Sequence, residues 1–148
     1  MNIQEKVGAF VIRYLGEQSA ELLLFTHIDY PEAPIQIPGG GIESFETPEE
    51  ALWRELKEEA GLPILPIIRK LGVSEVQLKE RLLRRHCYLL NGTGLPQAWE
   101  QMVESADEDN GLRFSFSWHT IRDGFWLSGD LGYFLTPTDI PELYQANW

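Results

Sequence analysis

In the N-terminal third of the chain, apolar residues come in runs instead of helical stripes. Val7, Ala9 and Val11 interleave with Gly8, Phe10 and Ile12 and lead to Arg13 and Tyr14, a stretch suited to a strand covered on both faces. A turn at Gly16-Glu17-Gln18-Ser19 precedes a second run, Glu21 to His27, so the pair is expected to form a hairpin. Asp29 to Pro34 reads as a loop, and Ile35 to Ile37 enters the punctuation Pro38-Gly39-Gly40-Gly41.

The pattern then changes period. Ala51, Leu52, Trp53, Leu56 and Ala60 make the apolar side of a helix. Thr47 stands as N-cap, Pro48 at the first helical position and Glu50 three after the cap, which completes a capping box. Gly61 and Pro63 supply the stop, so the helix is expected over 48–60. Beyond it, Ile67 to Val76 and Arg81 to Leu90 read as strands, Asn91 to Pro96 as a turn, and Glu104 to Gly111 as an acidic loop. Leu112, Phe114, Phe116 and Trp118 alternate with polar partners, the signature of a half-buried strand, and Gly129 to Leu135 and Ile140 to Ala146 read as short helices. Strands on both sides of one strong helix, with no repeat or linker, predict a single α/β domain spanning residues 1–148.

Composition narrows the setting. The chain has 148 residues, 43% hydrophobic and 24% charged, values ordinary for a folded soluble domain. No apolar run approaches the roughly 20 residues of a membrane span, and the polar start from Met1 to Lys6 lacks the layout of a signal peptide. Cys87 is the single cysteine and lies among apolar residues, which excludes an internal disulfide and suits a reducing, cytoplasmic setting. The net charge of −11 argues against a nucleic-acid partner. It would also repel a small phosphate ester unless cations intervened.

The helix carries such a possibility. Glu55, Glu58 and Glu59 fall three and four residues apart, so their carboxylates project from one side, distinct from that of Leu52, Trp53 and Leu56. On this pattern the helix buries one face and leaves a dense acidic face exposed. Like charges at that spacing repel, and a hard divalent ion such as Mg²⁺ or Mn²⁺ relieves the repulsion.

The surroundings of these glutamates sharpen the reading. Gly40 is followed by Glu46, then by Arg54-Glu55-Leu56, Glu58-Glu59, Gly61 and Leu62, at the spacing G-x5-E-x7-R-E-U-x-E-E-x-G-U, where U is a bulky aliphatic residue. Residues 40–62 thus resemble the Nudix box at every specified position. The order of elements around the box is also similar to that family's α/β/α sandwich, a mixed sheet with a loop-helix-loop motif. The resemblance implies a hydrolase that cleaves a phosphoanhydride bond in a nucleoside diphosphate linked to another group, with more than one Mg²⁺ or Mn²⁺ ion in place when substrate is bound. It implies Glu55, Glu58 and Glu59 as metal ligands, joined by the carbonyl of Gly39. Glu46 is expected to pair with Arg54 and orient the loop, Gly40 and Gly61 to serve the backbone, and Leu56 and Leu62 to anchor the motif in the core. The proton acceptor is expected among the box glutamates or in the acidic loop, with Glu104 and Glu108 singled out there.

The residues after the box, Gln77-Leu78-Lys79-Glu80, carry neither the proline of ADP-ribose hydrolases nor the tyrosine of dinucleoside-polyphosphate hydrolases. A mutator-type nucleoside triphosphate pyrophosphohydrolase is therefore the first expectation, with ADP-ribose and nucleotide sugars as alternatives. A nucleotide-binding regulator without catalysis, and an isomerase related to the isopentenyl-diphosphate isomerases, are the competing classes; the intact glutamates disfavour both. Arg81, Arg84 and Arg85 suit phosphate steering or an exposed strand face equally. His27, His86 and His119 show no ligand spacing, and Tyr30, Trp99, Phe114 and Trp126 are candidates for base stacking or core packing. The oligomeric state is open, a homodimer included.

Overall fold

The first strand is the spine of the molecule and is longer than its apolar run. In the computed structural model, which describes residues 2–144, β1 spans Asn2–Tyr14 and pairs in parallel with β5 (Arg81–Asn91) from Asn2↔Arg81 to Ile12↔Asn91. The added N-terminal residues are polar and are held by backbone pairing and cross-strand charge. Glu5 accepts from Arg84 at 2.9 Å and contacts the His86 ring at 3.1 Å. Hydropathy alternation carries no trace of such a segment.

The other edge of β1 is divided. Its C-terminal end pairs antiparallel with β2 (Ala20–His27), giving the expected hairpin, while Lys6 to Gly8 pair with β3 (Gly39–Gly41). The segment before β3 also bridges β2, with Gln36 opposite Phe25. A narrow tongue of chain therefore wedges between β1 and β2 and parts them. The glycines read as punctuation are in fact a strand, because close backbone approach is what they supply: a Cβ at Gly39 would lie 2.3 Å from the Val7 carbonyl oxygen.

The seven-stranded mixed sheet runs β4-β5-β1-β2-β7-β6, with β3 beside β1. β4 is Ile67–Gln77, and β7 is Arg113–His119 with Phe114, Phe116 and Trp118 turned inward. β6 (Ala98–Met102) is an edge strand absent from the sequence-based expectation; it lies beside β7 and stacks Trp99 on Phe116, with ring centroids 5.2 Å apart. Trp99 also donates to the Ala60 carbonyl, so it is a core residue and not a free stacking platform.

One sheet face holds Val7, Ala9 and Val11 against the helix α1 (Pro48–Ala60), whose Ala51, Leu52, Leu56 and Ala60 are buried. Burying each such leucine is worth about 1.5–3 kcal/mol, so the helix is fastened by packing as well as by its caps. Both caps take the expected form: Thr47 and Glu50 exchange side-chain-to-backbone bonds, and Gly61 closes the helix at φ 68°. The opposite face holds Phe10, Ile12 and Leu24 under two short 3-10 turns, Gly129–Gly132 and Pro141–Leu143. Where two short helices were expected, these turns are what the described residues contain; positions 145 and 146 of the second expectation lie outside them. Among the described residues no helix is long and apolar enough to cross a membrane.

Candidate active site

The acidic side of α1 is not a solvated face. Glu55 and Glu59 are only 6% and 7% exposed, while Glu58 is half-buried. The covering element is β3. In the antiparallel pair with β1, Ala9 donates to the Pro38 carbonyl and Ile42 to that of Glu5, so the alternate residues Gly39 and Gly41 turn their N–H and C=O groups away from β1. Those groups meet the helix: the Gly39 N–H donates to Glu59 Oε1 at 3.0 Å, and the Gly41 carbonyl accepts from Arg54 at 2.8 Å. Gly40 is required between them, since a Cβ there would lie 2.2–2.7 Å from the Glu55 carboxylate.

Arg54 ties this arrangement together. It binds Glu46 through two bonds, Nε to Oε2 at 2.6 Å and Nη2 to Oε1 at 2.9 Å, while Nη1 reaches Glu55 Oε1 at 2.8 Å and Glu58 Oε1 at 3.2 Å. Glu46 in turn accepts from the Glu43 N–H, which fixes the loop before the helix. In these contacts Glu55, Glu58 and Glu59 each accept through Oε1.

The loop between β6 and β7 closes the site. The Glu104 N–H donates to the Glu58 carbonyl at 3.1 Å, docking the loop on the end of α1. The side chain of Glu104 takes no part in lining the cleft. Asp107, Glu108 and Asp109 do line it, together with Gln4, Lys6, Gly40, Glu55, Glu58 and Glu59, around a volume of about 600 Å³. Ligand oxygens of Glu55, Glu58 and Asp107 lie within 4.8 Å of one another. Asp107 is thus the loop acid that meets Glu55 and Glu58, while Asp109 borders a second, smaller space together with Glu59. The sequence marks the loop as acidic but cannot rank its members, because their order in space depends on where the hairpin folds back. Gln4 and Lys6 were missed, for their polar segment gave no sign of being a strand that ends at the cleft.

Crowded, buried carboxylates resist ionisation. Burial pushes the Glu55 carboxyl up to about 7, with Glu58 and Asp107 adding to the rise and Arg54 opposing it. Burial raises Glu59 well above the carboxylate range, against the bond from the Gly39 N–H and with help from Glu55, Asp109 and Glu58. Glu58 is raised for the same first reason. Glu46 goes the other way, held low chiefly by its bonds from Arg54. An all-oxygen donor set of three helix carboxylates and Asp107, offset by the single guanidinium of Arg54, fits a hard divalent cation. The position beside the C-terminal half of α1 fits one too, since the helix dipole is negative at that end.

The expected arginines and aromatics sort differently. Arg84 pairs with Glu75 and Glu5, and Arg85 with Asp130 in a largely buried ion pair at 2.8 Å. Phe114 stacks on Phe25 in the core, whereas Tyr30 and Trp126 are exposed and line no part of the cleft.

Comparisons with known proteins agree with this geometry. Residues 4–126 match the family model described as NUDIX domain. The chain is 38% identical over 98 residues to diphosphoinositol polyphosphate phosphohydrolase 2 of Rattus norvegicus, an alignment covering 66% of this chain and 52% of that protein. It spans about half the length of the curated relatives it matches. Among solved structures, the MutT NUDIX hydrolase from Burkholderia pseudomallei superimposes with a TM-score of 0.56 at 18% identity, covering 99% of this chain and 100% of that one. A UDP-X diphosphatase superimposes with a TM-score of 0.60 at 18% identity over 97% of this chain and 62% of its own. The match across most of the chain, over a helix and glycine strand arranged as described, makes this protein a member of the Nudix family.

Proposed function

We propose that the chain, read over 1–148 as one domain, is a metal-dependent hydrolase that cleaves a phosphoanhydride bond in a nucleoside-diphosphate derivative, with nucleoside triphosphates first and ADP-ribose or nucleotide sugars next. The observation that carries this reading is the convergence of Glu55, Glu58 and Asp107 oxygens within 4.8 Å beside the buried Glu59, in a cleft of about 600 Å³. Glu55, Glu58, Glu59, Asp107 and the Gly39 carbonyl are the groups suited to hold Mg²⁺ or Mn²⁺. Divalent ions held there supply charge neutralisation for the attacked phosphate.

The protein's own parts follow from their contacts. Arg54 and Glu46 keep the glutamates and the loop in one geometry, and Glu59 is fixed against β3. Glu108, on a loop docked to the end of α1 and lining the cleft outside the Glu55–Glu58–Asp107 cluster, takes the proton of the attacking water. Two phosphate products leave, one keeping the nucleoside.

The names of the curated relatives raise a second substrate class, diphosphoinositol polyphosphates. The lining disfavours it. Six carboxylates and one lysine surround the cleft, whereas a ring bearing many phosphates calls for clustered cations. A panel of nucleoside triphosphates, oxidised purine nucleotides, ADP-ribose, dinucleoside polyphosphates, nucleotide sugars and an inositol pyrophosphate, scored with and without Mg²⁺ or Mn²⁺, tests the reading. Release of phosphate or pyrophosphate from one nucleotide class, abolished by chelation, is the expected result. Nucleotide binding without turnover would put the regulator reading in its place.

A further inference from the structure

The cleft continues to the other side of the sheet. Val7, Ala9 and Val11 face α1, so the alternate residues of β1 face away from it, and Phe10 and Ile12 pack there. Lys6 belongs to that second set. Its parallel neighbour on β5 is Arg85, and paired residues share a face. Yet Lys6 also lines the acidic cleft. The notch opened between β1 and β2 by the Gly39–Gly41 tongue makes this geometry possible. Through the notch lies a second hollow of about 170 Å³, lined by Lys6, Gln36, Ile37, Arg85, Asp109 and Leu131 among others. Lys6, Gly40, Glu59 and Asp109 border both spaces.

Two cations border this path, and they differ in how they are engaged. Arg85 is taken up by Asp130, with Ser74 behind it. Lys6 is half-buried; burial and then Arg85 and Arg81 disfavour its charge, Asp109 and Asp130 favour it to a lesser degree, and no hydrogen bond to its ammonium contributes among the described residues. A half-buried ammonium left without a partner is matched by an anion that arrives with the ligand. Beyond it, the backbone N–H and C=O of Gln36 are both used by Phe25, at 3.0 and 2.9 Å, so only its side-chain amide remains to serve the hollow. That amide offers donors and an acceptor between the apolar walls of Ile37 and Leu131.

We propose that Lys6 anchors the substrate phosphate that emerges from the acidic cleft, and that the hollow walled by Gln36, Ile37 and Leu131 receives the group the diphosphate carries, a small ring with a hydrogen-bonding edge such as a nucleobase. This rests on reading the acidic cleft as a diphosphate site, but assigns a different part of the molecule. Lys6 is a binding and positioning residue; Gln36 sets which group is accepted.

Calorimetric titration of the whole chain in Mn²⁺, with inorganic pyrophosphate and with a methylene-bridged nucleoside diphosphate that resists hydrolysis, separates the parts without relying on turnover. Lys6→Ala is expected to weaken both ligands by about 10- to 100-fold, the loss of one charge-assisted bond, and Lys6→Arg to recover most of it. Gln36→Ala is expected to weaken the nucleotide analogue and spare pyrophosphate. Lys79→Ala, the same charge change on the distant β4–β5 turn, is expected to change neither by more than about twofold. Thermal unfolding of each variant checks that the fold is kept. Unchanged pyrophosphate affinity in Lys6→Ala, or an equal loss in Lys79→Ala, would overturn the anchor, and an unaffected analogue in Gln36→Ala would overturn the pocket. Failure of the parent chain to bind pyrophosphate with Mn²⁺ would overturn the diphosphate site itself.

Discussion

Arg54 and Glu46 face each other in a two-point ion pair, at 2.6 and 2.9 Å, and the same guanidinium also holds Glu55, Glu58 and the Gly41 carbonyl. One planar donor fork thus sets the distance between the loop's Glu46 and two acidic groups of the helix, Glu55 and Glu58. A lysine cannot copy this, having a single point charge. Arg54→Lys is expected to lower turnover at least about tenfold, and a double-mutant cycle of Glu46→Gln with Arg54→Lys to show coupling of about 1–2 kcal/mol in stability. Additive effects would mean that the pair does not act as a unit.

Gly39 and Gly40 are adjacent but fail for different reasons. An added Cβ at Gly39 meets the Val7 backbone, which cannot yield, while one at Gly40 meets the Glu55 carboxylate. Gly39→Ala is therefore expected to lower thermal stability, and Gly40→Ala to keep the fold while weakening Mn²⁺ binding at least about tenfold by displacing a carboxylate. Equal melting temperatures and equal Mn²⁺ affinities in the two variants would contradict the assignment.

The raised carboxyls make a prediction for pH. Glu55 moves from 4.5 to about 7 and Glu59 is also raised well above 4.5, so the folded chain holds these protons more tightly than the unfolded chain does. Raising the pH through that window therefore removes stability from the metal-free protein. A divalent ion competes with the same protons, so the gain in melting temperature on adding Mg²⁺ should be larger at about pH 8 than at about pH 5.5. A gain that shrinks as the pH rises would contradict a carboxylate site.

Phe45 is fully exposed and sits at φ 75°, the left-handed region that side chains disfavour. Phe45→Gly is expected to stabilise the chain by about 1 kcal/mol, or about 2–4 °C in melting temperature. A lower melting temperature would show that the ring packs in solution in a way its exposure does not reveal.

The helix is legible in the sequence to the residue because both of its ends carry local caps, Thr47 with Glu50 and Gly61, which need no partner elsewhere. The glutamates are legible for the same reason, since spacing along one helix determines which side they share. The pairing partners of β1, β3 and β6 are a different matter. Asn2 to Lys6 becomes a strand because β5 lies beside it, and Gly39 to Gly41 because β1 does; neither fact is local. The burial of Glu55 and Glu59 was hidden likewise, because an acidic helix side looks solvated until the glycine strand that covers it is placed. Lys6 and Asp107 reach the cleft by the same long-range route.

The most direct test compares phosphate or pyrophosphate release by the parent chain and by Glu59→Gln over a range of Mg²⁺ concentrations, with thermal unfolding alongside. Saturable Mg²⁺ dependence in the parent, a loss of at least about 100-fold in the variant, and a melting temperature at least as high without metal are predicted, because the amide replaces a buried carboxyl whose ionised form burial disfavours. Activity within a few-fold of the parent would show that Glu59 does not belong to the catalytic site and would contradict the account.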